Sequence, residues 1–165
     1  MNSPPAPSLL RKEGVKVPLP GGERGGFALK KISYFYNYKK SNMKIEVSNG
    51  EIVDKQTILQ IKLERIKDKA KLTNLQKEYD DLVKVSASII STSDLLYKAL
   101  YDINCELWDI EDHIRDLERN KDFGDDFIQT ARAVYFKNDK RSEIKREINL
   151  KTASGFIEEK SYEKY

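Results

Sequence analysis

From Ile52 onward the apolar positions of this chain fall at helical spacing. Leu59, Leu63, Ile66 and Ala70 step 4-3-4, and Leu72, Leu75, Tyr79 and Leu82 step 3-4-3. The stripe changes phase near Lys71, but no Pro or Gly interrupts residues 52–85. The spacing therefore predicts one helix of about 30 residues, roughly 45 Å long, that bends or changes partners near Lys71. The hydroxyl-rich run SASIISTS (residues 86–93) predicts a connector, with Ser93 as N-cap and Asp94 in the next first turn. The clearest periodicity follows. Leu96, Leu100, Ile103, Leu107, Ile110, Ile114 and Leu117 step 4-3-4-3-4-3, a coiled-coil-like seam of three heptads. Two long helices and a short connector predict an antiparallel hairpin.

Residues 120–124 end that second helix. Asp125 or Asp126 is the expected cap of a third, with Phe123 stapled onto Phe127 or Ile128. The third helix is expected to bury Phe127, Ala131, Val134 and Tyr135. The same face then receives Asn138 and Arg141 before Ile144 and Ile148 resume it. Residues 152–155 break the helix, and a short tail is expected to dock through Phe156, Ile157 and Tyr162. At the other end, MKIEV (residues 43–47) alternates weakly and predicts a short N-terminal extended segment before the turn residues Ser48, Asn49 and Gly50. The fold class expected is all-α: a long antiparallel hairpin with a third long helix across it.

Residues 1–42 read differently. They hold all 5 prolines and 5 of the 8 glycines, without a period of 2 or 3.6. By composition they are a disordered leader outside the native fold. The phrase LRKEG…PLPGGERG resembles translated upstream repeats, which makes Met43 the expected initiator and residues 43–165 a single helical domain. An aromatic cluster at Tyr34, Phe35, Tyr36 and Tyr38 between lysines would otherwise suggest a membrane-surface or nucleic-acid contact.

Charge sharpens this division. The chain carries +3 overall, but residues 1–42 hold 8 Lys/Arg against 2 Asp/Glu, so the remaining body is mildly acidic. No nucleic-acid partner is expected of such a body. No run approaches the roughly 20 apolar residues of a membrane span. One cysteine, Cys105, rules out an internal disulfide framework. With no secretory signal visible, the cytoplasm is the default compartment. Three long helices leave one apolar flank thinly covered, which a homodimer would cover.

Candidate chemistry is sparse. His113, the single histidine, has Asp109 and Asp116 near it at helical spacing and reads as a surface residue. Glu106 and Asp109 share a face, but such acidic pairs arise by chance in so charged a body, so neither a metal nor a cofactor is expected. The third helix is the best site candidate. Arg132, Asn138, Asp139 and Arg141 lie where the apolar stripe is broken. Polar groups on a buried face must be paired or cost about 1–3 kcal/mol each. Arg132 and Arg141 could pair with Glu106, Glu111 or Glu118 of the second helix, the preferred reading, or face a groove and bind an anion. Trp108, one residue off the seam, reads as packing against the third helix.

Three phrases carry a resemblance: GEIVDKQTILQIKLERI (residues 50–66), ELWDIEDHIRDLE (residues 106–118) and FIQTARAVYFKNDKRSEIKREIN (residues 127–149), with SGFIEEKSY near the end. On these, residues 43–165 resemble an uncharacterised bacterial family of short helical proteins, a domain of unknown function. The resemblance implies no reaction. It implies a setting beside cell-surface polysaccharide genes, and it marks Glu51, Asp54, Lys55, Trp108, Glu111, Arg115, Arg132, Asn138, Asp139 and Arg141 as site candidates by position. The expected function is a non-enzymatic interaction module with a protein partner. The alternative is a small helical enzyme or binding protein for an anionic metabolite, using arginines and lysines of the bundle.

Overall fold

Three residues, Ile66, Lys67 and Asp68, divide what the apolar spacing predicts as one helix. The computed structural model, which describes residues 44–161, has α1 at Asn49–Arg65, α2 at Lys69–Ser86, α3 at Leu95–Asn120 and α4 at Asp125–Lys151. The expectations for residues 1–42, for Met43 as the start and for Tyr162 lie outside the described residues. The division has a local cause. Ile66 turns to the extended region (φ −82°, ψ 134°), and the Asp68 carboxylate accepts from the Ala70 and Lys71 N–H groups as the N-cap of a new helix. Asp68 is thus a start signal that an uninterrupted apolar stripe conceals. The phase change near Lys71 follows, because α2 folds back on α1, with Lys55 Nζ 2.7 Å from Glu78 Oε1.

The all-α class holds, and no strand occurs among the described residues. Lys44–Val47, expected to be extended, is exposed and irregular. The hairpins are α1–α2 and α3–α4. α1 is the hub: it packs on α2, α3 and α4, whereas α2 packs on α1. Asp94, rather than Ser93, caps α3, through a bond from the Leu96 N–H. Gly124, rather than Asp125 or Asp126, is the N-cap of α4, and those two acids sit in its first turn, where the helix dipole favours them. Phe123 does meet Phe127, edge to face at 5.3 Å.

Val53, Ile90, Tyr97, Leu100, Ile103, Ile144 and Ile148 form the core where α1, the first half of α3 and the second half of α4 converge. The expected burial at the other end of α4 fails. Phe127, Ala131 and Val134 are half-buried, and Tyr135 is exposed. The reason is length. α1 has 17 residues against 27 in α4, about 25 Å against 40 Å. The turn-proximal halves of α3 and α4 therefore project as an arm with less cover.

The two helices α1 and α4 approach closely at Gly50. A Cβ there would stand 2.6 Å from the Lys145 carbonyl oxygen and 3.0 Å from Asn149 Oδ1. Backbone cannot yield as a side chain does, so Gly50→Ala should separate the helices and cost about 1–3 kcal/mol. The expected thermal midpoint falls by several degrees, while Gly155→Ala, with open space around it, leaves the midpoint unchanged. Equal midpoints for both variants in a melting experiment would refute this close approach.

Candidate functional site

The first two turns of α1 lie against the last three turns of α4, and polar groups meet there in antiparallel register. An N-terminal turn exposes N–H groups that its own helix cannot satisfy. Here α4 and its end supply the acceptors. Asn49 N–H donates to Ser154 Oγ (3.0 Å) and Gly50 N–H to Asn149 Oδ1 (2.6 Å), while Ser48 Oγ takes the Glu51 N–H. One turn on, Lys145 Nζ pairs with Glu51 and, at 3.1 Å, with Glu158. One turn further, Arg141 clamps Asp54 with two bonds, Nε to Oδ1 at 2.8 Å and Nη2 to Oδ2 at 2.5 Å.

Asp54 is the most enclosed charge of this row, its side chain only 4% exposed. Asn104 on α3 completes it, donating from Nδ2 to both Asp54 Oδ1 and Thr57 Oγ1 at 2.9 Å. A carboxylate so buried must be paired and hydrogen-bonded. The bond to Asp54, outweighing burial, holds the Arg141 guanidinium above its already high pKa. For Lys145, burial opposes the charge, but the bonds to Glu51 and Glu158 prevail and raise its pKa. Glu158 moves the opposite way, lowered by its bond from Lys145.

Beside this clamp a groove of about 260 Å³ opens between α1, α3 and α4. Ile58 and Leu107 give it apolar walls; Lys62, Arg115 and Arg141 bring positive charge; Glu111 and Asp112 bring negative charge; Asn104 and Trp108 complete it. Arg115 is bound along its own helix to Glu111 (2.8 Å) and Asp112 (3.4 Å). Lys62 forms no ion pair among the described residues. The Arg65 guanidinium lies 5.8 Å from the Trp108 ring centre, a cation–π contact to α1 where packing against the third helix was expected.

Four of the ten sequence candidates thus share the groove: Trp108, Glu111, Arg115 and Arg141. Asp54 sits behind it as the partner of Arg141. Asn138 supports the guanidinium weakly, accepting from Nη1 at 3.4 Å. Glu51 lies one turn away against Lys145. Three candidates stand apart. Lys55 is exposed against Glu78, Arg132 is exposed on the arm, and Asp139 lines a separate groove with Lys145 and Glu158. The pairing expected with Glu106, Glu111 or Glu118 does not form for Arg141. Its acid comes from α1, Glu106 pairs with Lys137 (2.5 Å), and Glu111 with Arg115. His113, exposed as expected, meets Asp126 at 3.0 Å.

Sequence reasoning missed Asn104, Lys145 and Asn149. Each follows or precedes a buried isoleucine (Ile103, Ile144, Ile148), so each is a polar residue beside the apolar stripe. That position is the signal that could have found them. Among the described residues, no group of three or more His, Cys, Asp or Glu side chains is placed to hold a metal ion.

The chain belongs to DUF6165, a family of unknown function, whose model matches residues 43–165. No curated protein and no solved structure is found to match it.

Removing Arg141 should leave a buried carboxylate unpaired. Arg141→Ala is expected to cost about 3–5 kcal/mol, and Asp54→Leu with Arg141→Met to recover most of that loss. Denaturant unfolding of the three proteins checks this; a mild effect of the single variant, under about 1 kcal/mol, would contradict it.

Proposed function

We propose that residues 43–165 act as a non-enzymatic interaction module that docks a protein partner through the α3–α4 arm. One observation carries this reading. Phe123, Ile128, Tyr135 and Phe136 are exposed by 54%, 48%, 39% and 42% on an arm that extends past the core. Aromatic and aliphatic groups gathered on one projecting element mark interaction surfaces more often than scattered surface residues do. The pairing of Arg141 favours the same reading, because an arginine committed to a buried carboxylate is a poor electrostatic catalyst. Surface-polysaccharide synthesis is the setting proposed for the module, on the resemblance of its motif phrases.

A second reading rests on Lys62. Its ammonium stands in the groove without a carboxylate partner, beside Arg141 and the Trp108 ring, and could meet the carboxylate or phosphate of an anionic metabolite. No helix of the described residues is long and apolar enough to cross a membrane, so neither reading calls for insertion of these helices.

Two pairs of substitutions separate the readings in the full-length protein. Phe123→Asp with Ile128→Asp should abolish capture of a protein partner from source cells and weaken the purified interaction at least tenfold, about 1.4 kcal/mol. Lys62→Glu with Arg115→Glu should leave that interaction intact. Capture unaffected by the arm substitutions but lost with the groove substitutions, or a co-purifying anion lost with them, would overturn the module in favour of the second reading.

A further inference from the structure

After α4 the chain reverses. Ala153 takes a left-handed conformation (φ 48°), and Ser154 N–H donates to the Asn149 carbonyl at 2.9 Å. The following segment, residues 156–161, has no helix of its own and lies back along α4. Tail docking was expected through Phe156 and Ile157, but these are 53% and 38% exposed. Charge holds the segment instead. Glu158 Oε2 lies 3.1 Å from Lys145 Nζ, Glu159 Oε1 lies 2.8 Å from Arg146 Nη1, and Lys160 donates to Ser142 Oγ.

The receiving face is built, while its occupant is loosely held. The Lys145 side chain is 10% exposed and is fixed by Glu51 independently of the tail. With Ser142, Arg146, Asn149 and the acidic Asp139 and Glu143 it forms the α4 wall of a groove of about 470 Å³, whose other wall is the tail itself through Glu158, Glu159 and Lys160. The Arg146–Glu159 pair, by contrast, is 46% and 74% exposed, and exposed pairs contribute little to stability. Two adjacent cations, one preset by burial, thus face an extended segment with two adjacent carboxylates and few apolar anchors.

We propose that the adjacent cations Lys145 and Arg146 of α4 form an exchangeable binding site for an acidic extended segment of a protein partner, with residues 156–161 as its resident occupant. It is a different surface from the α3–α4 arm and does not depend on the arm binding anything. The tethered tail competes at an effective concentration in the millimolar range. A partner segment must therefore carry the same Glu-Glu pair and displace the tail.

The test uses the full chain carrying Glu158→Lys and Glu159→Lys, which releases the tail, and a labelled peptide SGFIEEKSYEKY. Saturable binding is expected, at least tenfold tighter than to the unaltered chain, whose tail occupies the site, and weakened by rising salt. The peptide with both Glu→Lys changes, and a scrambled peptide of the same composition, should bind at least tenfold more weakly. A folded variant that binds no peptide, or binds all three equally, overturns the proposal. Should that variant fail to fold, Arg146→Glu in the full chain carries the test. It should prefer the peptide bearing Glu159→Arg over the unaltered one, and no such preference overturns the site.

Discussion

Asp54 cannot remain a buried carboxylate without Arg141, and that requirement fixes how α1 lies on α4. A bidentate guanidinium clamp tolerates little sliding. Once Asp54 is seated, the antiparallel geometry brings Glu51 to Lys145 and the Gly50 N–H to Asn149. The register works only because residue 50 lacks a side chain, letting the first turn of α1 meet the α4 backbone. Apolar packing of Val53, Ile144 and Ile148 supplies bulk stabilisation at the same junction, at about 1.5–3 kcal/mol for each large aliphatic side chain. That packing has no direction. The polar row gives the junction its direction and depth.

The rest of the architecture follows from that placement. α1 is anchored at the C-terminal half of α4 and is too short to cover the N-terminal half, so the α3–α4 hairpin projects with aromatic groups on its surface. Beside Arg141, Ile58, Leu107 and Trp108 line the groove between α1, α3 and α4. The arm therefore arises from the mismatch between a 17-residue helix and the 27-residue helix it is pinned to, whereas the groove runs alongside α1 itself. The same row reaches beyond α4: Lys145, held by Glu51, is also the residue that receives Glu158.

Period and propensity made much of the fold legible. The α3 seam was readable because Leu100, Ile103 and Leu107 face a single layer and all become buried. The end of α4 was readable from residues 152–155. The break at Ile66–Asp68 was not, because two helices folded back on each other can keep apolar spacing on both sides of the turn, and a lone Asp is a weak N-cap signal among so many charges. The site was half legible. Arg141 stood out where the apolar stripe breaks, and Asp54 only by its place in a phrase carrying the family resemblance; their mutual pairing is a contact across 87 positions, which helical periodicity cannot encode. Arg132 was misplaced with them because the stripe was assumed to be buried along its whole length, whereas α1 covers only half of it.

Native-state hydrogen exchange at the Gly50 amide tests most directly whether this polar row locks α1 to α4. Gly50 N–H sits at a helix start, where amides ordinarily exchange through fraying, yet here it is buried and bonded to Asn149. Protection within about tenfold of the Leu100 amide in the core is expected, with both following global unfolding as denaturant is added. Rapid exchange at Gly50, insensitive to denaturant while Leu100 stays protected, would show that α1 frays from α4 and that the row does not hold it.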